Sequence, residues 1–280
     1  MIEDLLEFMS IAGDIARGAQ NNLNTADNYL KETSMTSVVT QTDLEISRLF
    51  KRFVERRFSQ LDYVIVDEES VKDLGDDPLP ELLKSEYQFI IDPIDGTLPY
   101  SCAHPMYGIS VGVFRYGKPY IGVLYMPATR ELAYYDGDKI HLLRQAFLPE
   151  EEDVIIEPHP NRKCPMVFGH SWNTPLTPDY DMSKFVFVDY YSAVVKLLFL
   201  ATRRARAYAC YMSLWDMAGG WAICHAMGIK LYHFQSGREV TEITAEDFNN
   251  KLHQKSIYVF CAPEDLPEMQ KMLTISPDLF

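Results

Sequence analysis

The sequence predicts an α/β protein built in layers, on three observations. Residues 2–20 and 42–58 repeat apolar residues at helical spacing, with Leu44, Ile46, Leu49, Phe50 and Phe53 along one side of the second segment. Two short apolar runs, YVIV at 63–66 and YQFII at 87–91, read as buried strands that each end at acids. From 107 to 136 three strand-like runs follow one another, with turns at 115–119 and 126–130, as an antiparallel meander. Helices and strands that both alternate and cluster call for stacked layers.

The remaining elements follow in order. Thr40 or Thr42 caps the second helix. DLGDDPLP, at 73–80, reads as a loop from its Pro, Gly and Asp content. The acidic run 149–153 marks the passage between two lobes of one domain, about 1–148 and 149–280. Beyond it, 166–168 and 184–188 read as strands, 192–203 as a helix and 207–211 as a strand. A helix over 215–228 ends at Gly228, which suits a left-handed terminus. Strands at 229–234 and 256–261, with a short helix between, close a second sheet.

Composition narrows the function. The 280 residues are 47% hydrophobic, enough for a substantial core. No run nears the about 18 uninterrupted apolar residues of a membrane span. The acidic start lacks the basic opening of a secretory signal, so a cytoplasmic setting is expected. Cys102, Cys164, Cys210, Cys224 and Cys261 form no CxxC pair, which points to reduced thiols. A net charge of −14 opposes nucleic-acid binding and suits a site for divalent cations.

The chemistry concentrates in FIIDPIDGTLPY, 89–100, where a buried strand runs into two acids three residues apart. Alone, Asp92 and Asp95 read as solvated acids of a turn. Yet Asp43, Glu68 and Asp216 also fall where strands or helices meet loops. Clustered acids near a buried strand lose hydration and repel, so a positive partner is expected. Pro93 forces a turn after Asp92, and Gly96 permits close backbone approach. A helix starting near Leu98, with Pro99 in its first turn, would aim the Gly96 and Thr97 amides at an anion. Oxygen donors without nearby His or Cys select Mg²⁺ or Mn²⁺. Asp92 can bridge two such ions, with Asp95 on one and the Ile94 carbonyl on the other, an arrangement suited to in-line displacement at phosphorus.

Asp92-Pro93-Ile94-Asp95-Gly96-Thr97 stands intact behind an apolar strand. Glu68-Glu69-Ser70 and Thr40-Gln41-Thr42-Asp43 precede it, and Trp215-Asp216-Met217-Ala218-Gly219 follows. In this order the motifs resemble those of the inositol monophosphatase-like family of Mg²⁺-dependent, lithium-sensitive phosphatases, whose relatives include fructose-1,6-bisphosphatases and 3′-phosphoadenosine phosphatases. The resemblance implies an α-β-α-β-α sandwich with two sheets, commonly a homodimer. It implies two or three Mg²⁺ ions: Glu68, Asp92 and the Ile94 carbonyl on the first, Asp92, Asp95 and Asp216 on the second, and Glu68 on a weaker third. Thr97 with Asp43 would orient and deprotonate the attacking water. The Gly96 and Thr97 amides would hold the phosphate, with Ser192 on the substrate side.

The departures lie in the second half. The usual Gly-Ser/Thr-Ala before the long helix reads Tyr191-Ser192-Ala193, which puts a side chain where bare backbone would approach the substrate. The glutamate that contacts inositol in animal-type enzymes is replaced by Ala209. Arg203, Arg204 and Arg206 are either substrate contacts or solvated residues at a helix end. Lys31 lies near a position where some relatives place an active-site lysine, and His104 reads as a loop residue. The expected activity is hydrolysis of a small inositol or sugar phosphate. The alternatives are a 3′-nucleotidase and a catalytically silent phosphate-binding module.

Overall fold

In a computed structural model the described residues are 1–21, 41–169, 181 and 183–275, with the backbone of 29–30, 38–39 and 176–178. Thr40 and Lys31 lie outside them. Helices α1 (Ile2–Asn21) and α2 (Gln41–Arg57) each bury one stripe, Leu5, Phe8, Met9, Ala12 and Ala16 on α1 and Ile46, Phe50 and Val54 on α2. The stripes meet at Phe8 and Phe50, with ring centroids 5.0 Å apart. Burying each such ring contributes about 1.5–3 kcal/mol.

Both helices cover one face of a seven-stranded sheet. Its strands are β1 (Tyr63–Asp67), β2 (Tyr87–Asp95), β3 (Gly108–Arg115), β4 (Lys118–Met126), β5 (Glu131–Tyr135), β6 (Ile140–Arg144) and β7 (Glu152–Ile156). They lie in sequence order, with β1 parallel to β2 and every other pair antiparallel. The acidic run 149–153 therefore leads into the seventh strand, because Glu152 and Asp153 pair with Arg144 and Leu143. The expected loop at 73–80 ends early: a 3₁₀ helix covers Glu68–Leu74, and Pro78 opens α3 (Pro78–Lys84). Proline suits that first turn because the amide it lacks would have no partner there.

A second sheet of six strands contains β8 (Met166–Phe168), β9 (Val186–Val188), β10 (Ala207–Cys210), β11 (Lys230–His233), β12 (Glu239–Val240) and β13 (Tyr258–Cys261), ordered β9-β8-β10-β13-β11-β12. Between the sheets lie α5 (Ala193–Ala201) and α6 (Leu214–Ala226); α4 (Thr97–Ser101) follows β2, and α7 (Leu266–Met272) packs outside the second sheet. Alternation assigns each strand residue its layer. Tyr258 and Phe260 face the central helices, whereas Val259 and Cys261 face α7. The result is the expected α-β-α-β-α sandwich with two sheets. The short helix expected between the last two strands is replaced by β12 and turns, with Asn249 Oδ1 accepting from the amides of Lys251 at 2.8 Å and His253 at 3.1 Å. A side chain that binds its own local backbone region competes with helix there.

The central helix α6 lies unusually close to the large sheet. A Cβ on Gly122 would sit 2.1 Å from the Gly219 carbonyl oxygen, and one on Gly112 would sit 2.5 Å from the Ala218 backbone. Bare backbone on both elements sets the distance between α6 and β2–β4. Gly122→Ala is expected to destabilise the protein by about 2–3 kcal/mol through overpacking, read as a lower urea midpoint with an unchanged slope.

Candidate active site

The strand β2 carries both central acids, and a bulge decides where they point. In a regular strand residues three apart face opposite sides. Asp92 pairs with Ser110 and Asp95 with Gly108, so three steps on β2 match two on β3. The extra residue restores Asp95 to the face of Asp92, toward α6, while Ile94 packs on the α1–α2 side. Pro93, which has no amide to donate, sits within the bulge.

Asp216 reaches the same point from α6. Ser213 precedes the helix, and its amide donates to Asp216 Oδ2 at 2.8 Å. Ser110, the strand partner of Asp92, ties α6 down: its hydroxyl donates to the Trp215 carbonyl at 3.2 Å and accepts from the Gly219 amide at 3.1 Å. As a result Asp92, Asp95 and Asp216 offer carboxylate oxygens all within 4.8 Å of one another. Asp92 and Asp95 are buried, and among the described residues Asp92 Oδ1 has no hydrogen-bond donor.

Two further acids close the group. Asp43, buried in the first turn of α2, and Glu68, at the start of the 3₁₀ helix, both add to the negative field at Asp92. Tyr100 of α4 fixes α2 nearby, sharing a hydrogen bond with Thr42 Oγ1 at 3.1 Å and donating to the Ala16 carbonyl at 3.0 Å. Asp67 anchors the segment that carries Glu68. It accepts from Ser47, from Ser70 at 3.1 Å and from the Glu69 amide at 3.1 Å, and Lys51 lies 3.4 Å away.

Beyond β2 the chain turns at Gly96, whose φ of 84° is left-handed. A side chain there would also meet Ser192 Cβ at 3.1 Å and the Met106 carbonyl at 3.2 Å. Thr97 opens α4, and its hydroxyl donates to the Ile94 carbonyl at 3.1 Å. Ser192 caps α5, accepting from the Val195 amide at 3.1 Å, and donates to Asp95. The Val194 amide also donates to Asp95, at 2.6 Å. The hydroxyl of Ser192 is thus engaged in positioning a carboxylate.

The sequence reasoning passed over Lys196. It is fully buried on α5, 2.9 Å from Asp189, and its charge acts on Asp95 and Asp216. The available signal was one lysine inside an otherwise apolar helix, AVVKLLFLA. The arginines are placed elsewhere. Arg204 pairs with Glu131 at 3.0 Å, Arg206 with Asp265 at 2.8 Å and Glu268 at 2.5 Å, and Arg203 contacts His159. His104 is exposed in its loop, as expected.

Burial pushes all three central acids up. Asp92 rises well above the ordinary carboxylate value, from desolvation and then from Glu68, Asp95 and Asp216. Burial also raises Asp95, against the opposing pull of Ser192, the Val194 amide and Lys196. Asp216 is pushed up to about 7 by burial and by Asp95. The folded protein therefore holds more protons than the unfolded chain between about pH 4 and 7. The contribution of these groups to stability falls as pH rises through that window. In chelator, the cluster is expected to lower the melting temperature between pH 5 and pH 8, and divalent cation is expected to reduce the loss. Thermal melts of the wild type and Asp92→Asn at both pH values check this.

The chain is 28% identical over 142 residues to the protein qutG of Emericella nidulans, covering 46% of this chain and 40% of that protein. It is 30% identical over 132 residues to a fructose-1,6-bisphosphatase/inositol-1-monophosphatase of Thermotoga maritima, covering 44% and 47%. The matched stretch spans less than half the length of either relative. A Thermotoga maritima IMPase structure superposes with a TM-score of 0.68 at 20% identity, covering 97% of this chain and 95% of that one, a likeness of fold. Residues 3–264 match the sequence model of the inositol monophosphatase family, and the chain belongs to that family.

Proposed function

We propose that the protein is a Mg²⁺-dependent phosphomonoesterase that hydrolyses a small soluble phosphate ester. The observation that supports this most is the convergence of Asp92, Asp95 and Asp216 around a buried Asp92 oxygen that lacks any donor among the described residues. Leaving that acceptor unmatched costs several kcal/mol unless a cation meets it, so the residues present fit a metal. All the donors are oxygens, which suits Mg²⁺, with Mn²⁺ as a substitute.

In this reading Glu68, Asp92 and the Ile94 carbonyl would hold one ion and Asp92, Asp95 and Asp216 a second; a third would rest on Glu68. Bound there, the cations would lower the pKa of a water and neutralise charge on the leaving oxygen. The chain's own groups do the rest. The Gly96 and Thr97 amides, next to the left-handed turn, hold the phosphoryl oxygens. When the Thr97 hydroxyl turns away from the Ile94 carbonyl, the carbonyl is free to ligate and the hydroxyl is free to act with Asp43. Together Thr97 and Asp43 orient the attacking water and take its proton. Ser192 and the Val194 amide keep Asp95 aimed at the cluster. The homodimer that the family resemblance implies, and the cytoplasmic setting expected from the acidic start of the chain, belong to this same reading. Among the described residues no helix is long and apolar enough to cross a membrane.

Phosphate release from a panel of sugar and inositol phosphates tests the reading. Activity is expected with Mg²⁺ and none in chelator. Asp95→Asn is expected to lower kcat/KM by about a thousandfold or more, since it removes both a ligand and its charge. A full rate in Asp95→Asn would sink the assignment. Mg²⁺ at 100 times its dissociation constant is expected to stabilise the wild type by about 2.7 kcal/mol. Asp92→Asn should lose that gain yet melt higher than the wild type in chelator, because one repelling charge is gone.

A further inference from the structure

We propose that a cavity of about 280 Å³ beside the phosphate-holding turn is the slot for the substrate's alcohol, and that Tyr191 makes it select a flat aromatic group. This rests on the phosphatase reading for its location. Leu98 and Pro99 of α4 form one wall, immediately after Thr97, and Tyr190 and Tyr191 form another, immediately before Ser192. The two walls belong to segments already in contact, since Gly96 and Ser192 pack closely enough that a Cβ on the glycine would lie 3.1 Å from the serine's. An ester whose phosphoryl group sits on the Gly96 and Thr97 amides thus has this cavity as its neighbour.

The lining is mostly apolar. Met106 and Cys102 join the tyrosines and α4, His104 adds one polar edge, and the carboxylate of Asp189 is already paired with Lys196 at 2.9 Å. A polyol would leave most of its hydroxyls without partners against these surfaces, whereas a planar ring would meet apolar edges and an aromatic face. The tyrosines differ in role. Tyr190 is fixed by edge contacts with Phe168 and Phe199, at 5.6 and 5.8 Å between centroids. Tyr191 is 47% exposed and free to stack.

The backbone adds a second observation, since Tyr191 is one of eight described non-glycine residues with positive φ and the one that lines this cavity with its ring. Its φ is 56°, a left-handed conformation that a bulky residue adopts at a cost and that glycine adopts freely. The Tyr191 amide donates to Asp189 Oδ1 at 2.9 Å, which holds the turn in that shape. A glycine would satisfy the turn better, so the side chain is retained there against the local backbone preference. A role for the ring in the adjacent cavity accounts for that.

Binding of benzylphosphonate and methylphosphonate in Mg²⁺, measured by calorimetry, tests the slot without depending on turnover. The wild type is expected to bind benzylphosphonate about three- to tenfold more tightly, the size of one aromatic contact. That ratio is expected to fall to near one in Tyr191→Gly and to persist in Tyr191→Phe, which keeps the ring. Tyr191→Gly is also expected to melt about 1–3 °C higher as the left-handed strain is relieved. No preference in the wild type, or a preference that survives Tyr191→Gly, overturns the inference. Failure to hydrolyse any phosphate ester while the binding preference holds would remove the phosphatase reading and leave the aromatic slot standing.

Discussion

Mutual repulsion among buried carboxylates is the constraint on which this structure turns. Asp92, Asp95 and Asp216 hold oxygens within 4.8 Å of one another, with Asp43 and Glu68 adding to the field. At an effective dielectric of about 20, each ionised pair at that distance costs about 3 kcal/mol. Nothing in the cluster relieves this fully. Lys196 and two donors to Asp95 offset part of it, and elevated proton affinity absorbs more. The scaffold must be stiff enough to hold the acids together until a cation does.

That stiffness comes from backbone packed on backbone. Gly112, Gly122 and Gly219 let α6 lie against β3 and β4 without intervening side chains, and Ser110 of β3 bonds two backbone groups of α6. On the other face Tyr100 joins α4 to α1 and α2, which brings Asp43 beside the turn. Asp67 gathers Ser47, Lys51 and Ser70, so the segment with Glu68 cannot drift from α2. Five acids from four separate segments of the chain are thereby positioned by polar contacts. Such contacts are costly to break, since each leaves a group without a partner.

The same economy places the anion-holding turn. One extra residue in β2 turns Asp95 inward, and the left-handed Gly96 then starts α4 with Thr97. Its neighbour across the gap, Ser192, serves Asp95 and the end of α5 at once. Tyr191 beside it shows the opposite behaviour, a side chain kept where the backbone would favour none. The acid cluster and the neighbouring cavity are thus built to different standards. One is held by many shared contacts, the other by a few residues.

Much of this was legible in the sequence, and the limits have physical causes. Periodicity of 3.6 and 2 residues is a local property, so α1, α2, α6 and the meander could be read directly. The acids and their order were legible too, because each stands at the end of an apolar run. What failed was decided at longer range. The run at 149–153 looks like a linker by charge, yet its backbone finds Arg144 and Leu143 across the sheet. The expected helix before the last strand lost to local side-chain bonds and to pairing with β11. Lys196 carries no role within its own helix; Asp189 and Asp95 come beside it only in the fold. The arginines read as either substrate contacts or solvated residues, and acids from distant segments claim Arg204 and Arg206. By itself the sequence determined which residues carry oxygen donors and which elements bear them, since both depend on neighbours a few residues away. Only the tertiary structure decided that the donors meet at one buried point, because convergence depends on bulge, glycine contact and helix position, none of which a single segment contains.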